Sequence, residues 1–167
     1  MKPIKYCLLL AATVAAASVV IGADKKETSA AGAEAAAHKV YDAAEIEWGQ
    51  AHPGLPAGAQ LAVLAGDPGK KGVYTLRLKA PAGYKIMPHT HPTAEEVTVI
   101  SGGLHVGMGG KFDESAGEAL APGGFVSLSA KMQHFAWFTE ETVIQVHGEG
   151  PFEINYVNSA DDPRTKK

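Results

Sequence analysis

From Val40 onward the chain breaks into short apolar runs, each closed by glycine, proline or aspartate. "QLAVLAG" leads into the turn "DPGKKG", and "VYTLRLKAP" leads into "AG". "EEVTVISGGLHVGMGG" carries a glycine break inside it, and "GGFVSLSA", "HFAWF", "ETVIQVHGEG" and "FEINYV" follow. These runs are rich in Val, Ile, Thr, Tyr and Phe, and turn signals fall about every 8 to 12 residues. That texture predicts an all-β sandwich or barrel. After residue 40 no segment has a long helical period; "DAAEIEWGQ" has room for a turn or two of helix. There is no internal repeat.

The first 40 residues read differently. "MKPIKYC" is a short basic start, "LLLAATVAAASVVIG" an apolar run of export-signal length, and "ADKKE" returns abruptly to charge. Residues 1–23 are therefore expected to be a signal peptide, cut after Ala23 or a few residues earlier after Ala17, with an uncleaved anchor helix as the alternative. Residues 24–38 are small, polar and Ala-rich and read as a flexible linker, His38 included. The folded domain is expected over residues 39–163, with 164–167 as a tail.

Composition narrows the function. With 167 residues the chain suits one domain with a core that needs no staples. The net charge is −3, and removing the signal with its two lysines takes it to −5, which argues against nucleic acid as a partner. The single cysteine, Cys7, lies within the signal, so the mature chain has no thiol to mispair or to ligate a metal. A periplasmic or secreted protein, free of the membrane after cleavage, is the expected result.

Candidate chemistry centres on "GYKIMPHTHPTAEEVTVISGG". On a strand His89 and His91 point the same way, about 7 Å apart along the backbone. Pro88 and Pro92 flank them, and Glu95 opens the next run. Two imidazoles and a carboxylate suit Fe(II), Mn(II) and similar ions. His134, just past the turn in "APGGFVSLSAKMQHFAWF", is a fourth candidate if two antiparallel pairs fold over each other.

These spacings resemble the cupin superfamily. Its first motif is glycine, five residues, His-x-His, three or four residues, Glu, six residues, glycine. Here Gly83, His89, His91, Glu95 and Gly102 meet every interval; Glu96 would count to Gly103 instead. The second motif keeps Gly123 and His134, but Ser129, Lys131 and Phe138 stand where the family has Pro, Gly and Asn. The resemblance spans roughly residues 40–163 and extends to exported bacterial single-domain cupins. It implies a single antiparallel β-barrel of jelly-roll type, with six to eight strands. It also implies a divalent metal held by His89, His91, Glu95 and His134 with two adjacent positions open. Mn, Fe or Ni are favoured, with Zn or Cu as alternatives. A small oxygenated molecule would chelate there for oxygenase, decarboxylase, isomerase or lyase chemistry. A non-catalytic metal or small-ligand binder or sensor is the other reading, a barrel with packed, metal-free histidines a third, and a homodimer is a further expectation.

Other residues carry weaker signals. Gln145 and His147 share a strand face and are candidates for acid/base work if that face points inward. Met87 is expected on the ligand face as a pocket wall, Met132 and Trp137 in the core, and His52 and His105 at the surface or in packing. Arg77 and Lys85 are candidate carboxylate holders or ordinary exposed strand residues, and Glu96 is either solvated or a hydrogen-bond acceptor behind the ligand. "GMGG" lacks the lysine and helix of a phosphate loop, and no Ser-His-Asp order or G-x-S-x-G occurs.

Overall fold

A computed structural model describes residues 38–166; the signal-peptide reading, and the linker reading up to residue 37, lie outside them. The chain enters through a single 3₁₀ turn, Ala43–Glu45. Asp42 caps it by accepting from the Ala44 N–H at 3.0 Å, and Glu45 reaches back to the Asp42 N–H at 3.3 Å. Eleven strands follow: β1 (Gly49–Gln50), β2 (Gln60–Ala65), β3 (Gly72–Ala80), β4 (Lys85–Thr90), β5 (Glu95–Ser101), β6 (Leu104–Met108), β7 (Gly117–Leu120), β8 (Phe125–Leu128), β9 (His134–Trp137), β10 (Thr142–Gly150) and β11 (Asn155–Tyr156). The remaining helical pieces are further single 3₁₀ turns. Among the described residues no helix is long and apolar enough to cross a membrane.

Among the described residues every ladder is antiparallel. The strands form a six-stranded sheet in the order β1-β2-β3-β10-β5-β8 and a five-stranded sheet in the order β11-β4-β9-β6-β7. Among the described residues no ladder joins the two, so the single closed barrel expected from the sequence is replaced by a two-sheet, all-β sandwich of jelly-roll character. The chain changes sheet between β4 and β5 through Pro92-Thr93-Ala94. A proline there has no N–H to continue a ladder, so pairing stops and restarts on the other sheet.

Period-2 alternation places the core. On β3, Tyr74, Leu76, Leu78 and Ala80 are buried while Thr75, Arg77 and Lys79 are half-buried on the other face. On β10, Ile144 and Val146 pair with Leu78 and Leu76, and Val143, Gln145 and His147 take the outer face. Ile86, Leu104 and Phe138 of the smaller sheet's side complete the cluster with Val97 and Val99 of β5. Each such side chain contributes about 1.5–3 kcal/mol on burial, and this apolar centre holds the two sheets together.

The three motif glycines all have positive φ: 79° at Gly83, 74° at Gly102 and 86° at Gly123. At Gly102 a Cβ would also run into the Glu141 carbonyl and Thr142, so nothing larger fits where β5 turns into β6. Lys131, which replaces the family's glycine, adopts φ 63°. The turn is therefore kept, with a side chain in a region that costs roughly 1–2 kcal/mol for a non-glycine residue. Its N–H donates to the His91 carbonyl at 2.8 Å, tying the second motif to the first.

Candidate metal centre

His89 and His134 are direct partners in the β4–β9 ladder, so His134 reaches the site within its own sheet and not by folding across the sandwich. His91 lies one residue past β4. Glu95, the first residue of β5, arrives from the opposite sheet. The short Pro92–Ala94 connection thus does chemical work: it carries the carboxylate round to face the imidazoles.

A slip of one residue sets the histidine face. Lys85 pairs with Trp137 and Ile86 with Ala136, but His89 pairs with His134, so the register shifts between Ile86 and His89. Pro88 occupies the irregular stretch, where a missing N–H is tolerated. After the slip His89 faces inward as Ile86 does. Met87, expected on the ligand face, is half-buried outside the cavity, which Ile86 lines instead.

The three imidazoles are buried, at 3, 6 and 3% exposure for His89, His91 and His134. Each Nδ1 meets a backbone carbonyl: Met87 at 2.8 Å, Glu153 at 2.7 Å and Met132 at 3.0 Å respectively. A carbonyl can only accept, so each Nδ1 carries the proton and each Nε2 is left with a lone pair. Donor atoms of the three rings lie within 4.8 Å of one another. Glu95 Oε2 stands 3.4 Å from His91 Nε2 and 3.6 Å from His134 Nε2. Two donors each about 2.1 Å from a shared ion are about 3.0 Å apart at a right angle and about 3.4 Å at a tetrahedral one. The three imidazoles could thus hold a divalent cation, and Glu95 lies beside two of them at spacings such an ion allows.

The electrostatics agree. Burial, and then the neighbouring His134 and His91, push the His89 pKa down to about 3. Burial is also the largest single influence on His91 and pulls it down, but the Glu95 carboxylate and the Glu153 carbonyl together more than reverse this and its pKa is raised. Burial pushes Glu95 up; His91 and His134 together overcome that and hold it below the ordinary carboxylate range. A divalent ion held among the imidazoles would meet the charge of the Glu95 carboxylate beside them.

The four side chains form the polar end of a cavity of about 50 Å³, several times the 10–15 Å³ that one water needs. The rest of its wall is aliphatic or aromatic, Phe138 included. Phe138, in place of the family's Asn, is 1% exposed and sits tilted against Tyr84 with ring centroids 6.1 Å apart. Phe152 stacks on His91 at 5.4 Å and, with Leu61 and Leu76, lines both the cavity and an outer groove containing His52.

The remaining candidates lie elsewhere. Gln145 and His147 are on the outer face of β10, away from the cluster. Arg77 Nε donates to Gln145 Oε1 at 3.1 Å, the Gln145 amide contacts His147 Nε2 at 3.1 Å, and His147 Nδ1 contacts Thr75 Oγ1 at 2.9 Å. This occupied surface network does not reach the cavity, so the acid/base role considered for them has no geometric basis. Glu96 is exposed on that same face. Lys85 pairs with Glu114 at 2.6 Å in solvent. His105 stacks on buried Trp137 at 4.8 Å, and Met132, expected in the core, is 39% exposed. The carbonyls of Met87, Met132 and Glu153 had no signal in the sequence, because any residue supplies one.

Residues 27–155 match the family described as "Domain of unknown function (DUF4437)", and the chain belongs to that family. Among curated proteins none matches significantly. Similar solved structures include the polyketide cyclase RemF from Streptomyces resistomycificus, at 16% identity and TM-score 0.62, covering 77% of this chain and 91% of that one. A candidate acetylacetone dioxygenase from Methylibium petroleiphilum PM1 gives 18%, 0.55, 76% and 85% on the same measures. An RmlC-like cupin from Shewanella frigidimarina NCIMB 400 gives 12%, 0.53, 68% and 91%. At these identities the likeness is one of fold, and the fold is the cupin fold.

Proposed function

We propose that this protein is an exported, divalent-metal cupin that chelates a small oxygenated molecule at an ion held by His89, His91, Glu95 and His134, and acts on it as an enzyme. The observation that carries the reading is the convergence of three imidazoles, each fixed with its Nε2 lone pair free, with a carboxylate beside two of them, in an otherwise apolar cavity. Mn, Fe or Ni fit the mixed nitrogen and oxygen set best, with Zn or Cu as alternatives. Such an ion supplies Lewis-acid or redox chemistry to whatever it binds. The chain's own residues do the rest: the Nδ1–carbonyl bonds hold the rings, Glu95 lowers the net charge, and the apolar wall excludes water. Enzymes among the fold neighbours, such as the polyketide cyclase, support a catalytic reading by analogy.

One observation favours the second reading, a metal store or sensor: apart from the four ligands, no acid or base lines the cavity. Open coordination positions separate the two. Mn²⁺-loaded protein should enhance the relaxation of bulk water protons, and small chelating ligands should reduce that enhancement. Mn²⁺ bound with no exchangeable water would leave only the store or sensor. Export through residues 1–23 to the periplasm or medium belongs to the same proposal, and N-terminal sequencing of the mature protein tests it.

A further inference from the structure

We infer that loop 51–59, between β1 and β2, is a lid on the histidine cavity, clasped shut by the hydroxyls of Tyr84 and Tyr156. The cavity wall is built mostly of strand residues fixed in ladders. Of the wall residues outside the strands, His91, Phe138 and Phe152 are each tied to another element by a backbone hydrogen bond. The His91 carbonyl accepts from the Lys131 N–H at 2.8 Å, the Phe138 N–H donates to the Tyr84 carbonyl at 3.0 Å, and the Phe152 N–H to the Pro68 carbonyl at 2.6 Å. Ile154 adjoins β11. Leu55, on the loop, is the exception. It is 8% exposed and lines the cavity. Its N–H donates within the loop, to the His52 carbonyl at 2.8 Å, and among the described residues no backbone hydrogen bond joins residues 51–59 to another element.

Two phenols hold the loop instead. Tyr84 Oη donates to the Pro56 carbonyl at 2.6 Å and Tyr156 Oη to the Gly54 carbonyl at 2.8 Å, so they grip the residues on either side of Leu55. Each such bond is exchanged with water at small net cost, whereas the bonds of a ladder open together. Gly58, with φ 109°, gives the loop a joint just ahead of β2. The consequence is access. A cavity of about 50 Å³ holds a few waters and nothing larger while its wall is in place. Beside it lies a groove of about 250 Å³, lined by Ala51, His52 and Pro53 of the same loop and sharing Leu61, Leu76 and Phe152 with the cavity. Lifting Leu55 joins the two into one space that reaches the histidines.

The inference concerns the wall and not the ion, so failure of the metal reading leaves it standing. Cys7→Ser leaves the full chain without a thiol. Val106, 6% exposed on the cavity wall, is then replaced by cysteine, and Val146→Cys on the other sheet repeats the measurement should the first variant fail to fold. Reaction of the thiol with dithionitrobenzoate is followed in chelator, without urea and at low urea. A lid predicts a labelling rate that hardly changes with urea, because its opening exposes little surface. Adding Tyr84→Phe or Tyr156→Phe removes one hydroxyl and keeps the ring, and each should speed labelling about two- to tenfold. Labelling that rises with urea as steeply as global unfolding does, or that is unchanged by the loss of either hydroxyl, would overturn the lid.

Discussion

Acid should destabilise the metal-free protein through His89, and the size of the effect follows from its surroundings. In the unfolded chain this imidazole titrates near 6.5; in the fold, burial and its two histidine neighbours lower that to about 3. Between these values the unfolded state binds a proton that the native state refuses, so stability rises with pH across the window and levels off above it. Going from pH 7 to pH 5 exposes about 1.5 units of that difference, or roughly 2 kcal/mol at 1.36 kcal/mol per unit. His91, with its raised pKa, works in the opposite direction and gains stability as the pH falls, so 2 kcal/mol is the upper limit for the pair. Glu95 adds its own acid loss only below its ordinary range. With a urea m-value of about 2 kcal/mol/M, the unfolding midpoint should drop by up to roughly 1 M. The assay is urea unfolding in chelator at both pH values, with the imidazole NMR signals followed across the same range. His89 should stay neutral in the folded protein at pH 5. A His89 signal that titrates near 6.5 in folded protein would refute the reasoning.

Three substitutions follow from the same geometry. Lys131→Gly should raise stability by about 0.5–1 kcal/mol, since the positive φ then costs nothing while the unfolded chain gains some entropy; thermal melting checks it. Phe138→Asn restores the family residue but buries an amide in an apolar wall, so a loss of several kcal/mol is expected in urea unfolding. Phe152→Ala removes a ring that lines both the cavity and the His52 groove; chelator-driven loss of metal should be at least several-fold faster, read by stopped flow with a colorimetric chelator.

How much of this was legible beforehand depends on which physics was local. The motif intervals worked because three glycines mark positions where φ must be positive, and these anchor the counts to His89, His91, Glu95 and His134. Lys131 shows the limit of that logic: the turn survives the loss of its glycine because its N–H bond to the His91 carbonyl and the ladders on either side define it. Strand pairing was not local. Period-2 counting put Met87 on the ligand face, and a one-residue slip at Pro88 moved it off. The same counting put Gln145 and His147 together, but only the register of β10 against β3 shows that their face is the outer one. Likewise, nothing in the residues says that His134 is a ladder partner of His89 while Glu95 comes from across the sandwich. Sheet closure is not local either: alternation marks an inner face and leaves open whether the edges meet, and here the two sheets share no ladder among the described residues.

The most direct test is metal content, measured by elemental analysis of the mature protein after dialysis, beside His134→Ala with its fold checked by circular dichroism. The account predicts close to one divalent ion per chain in the wild type and loss of nearly all of it in the variant. A folded wild type that carries no metal and takes up no added divalent ion would contradict it.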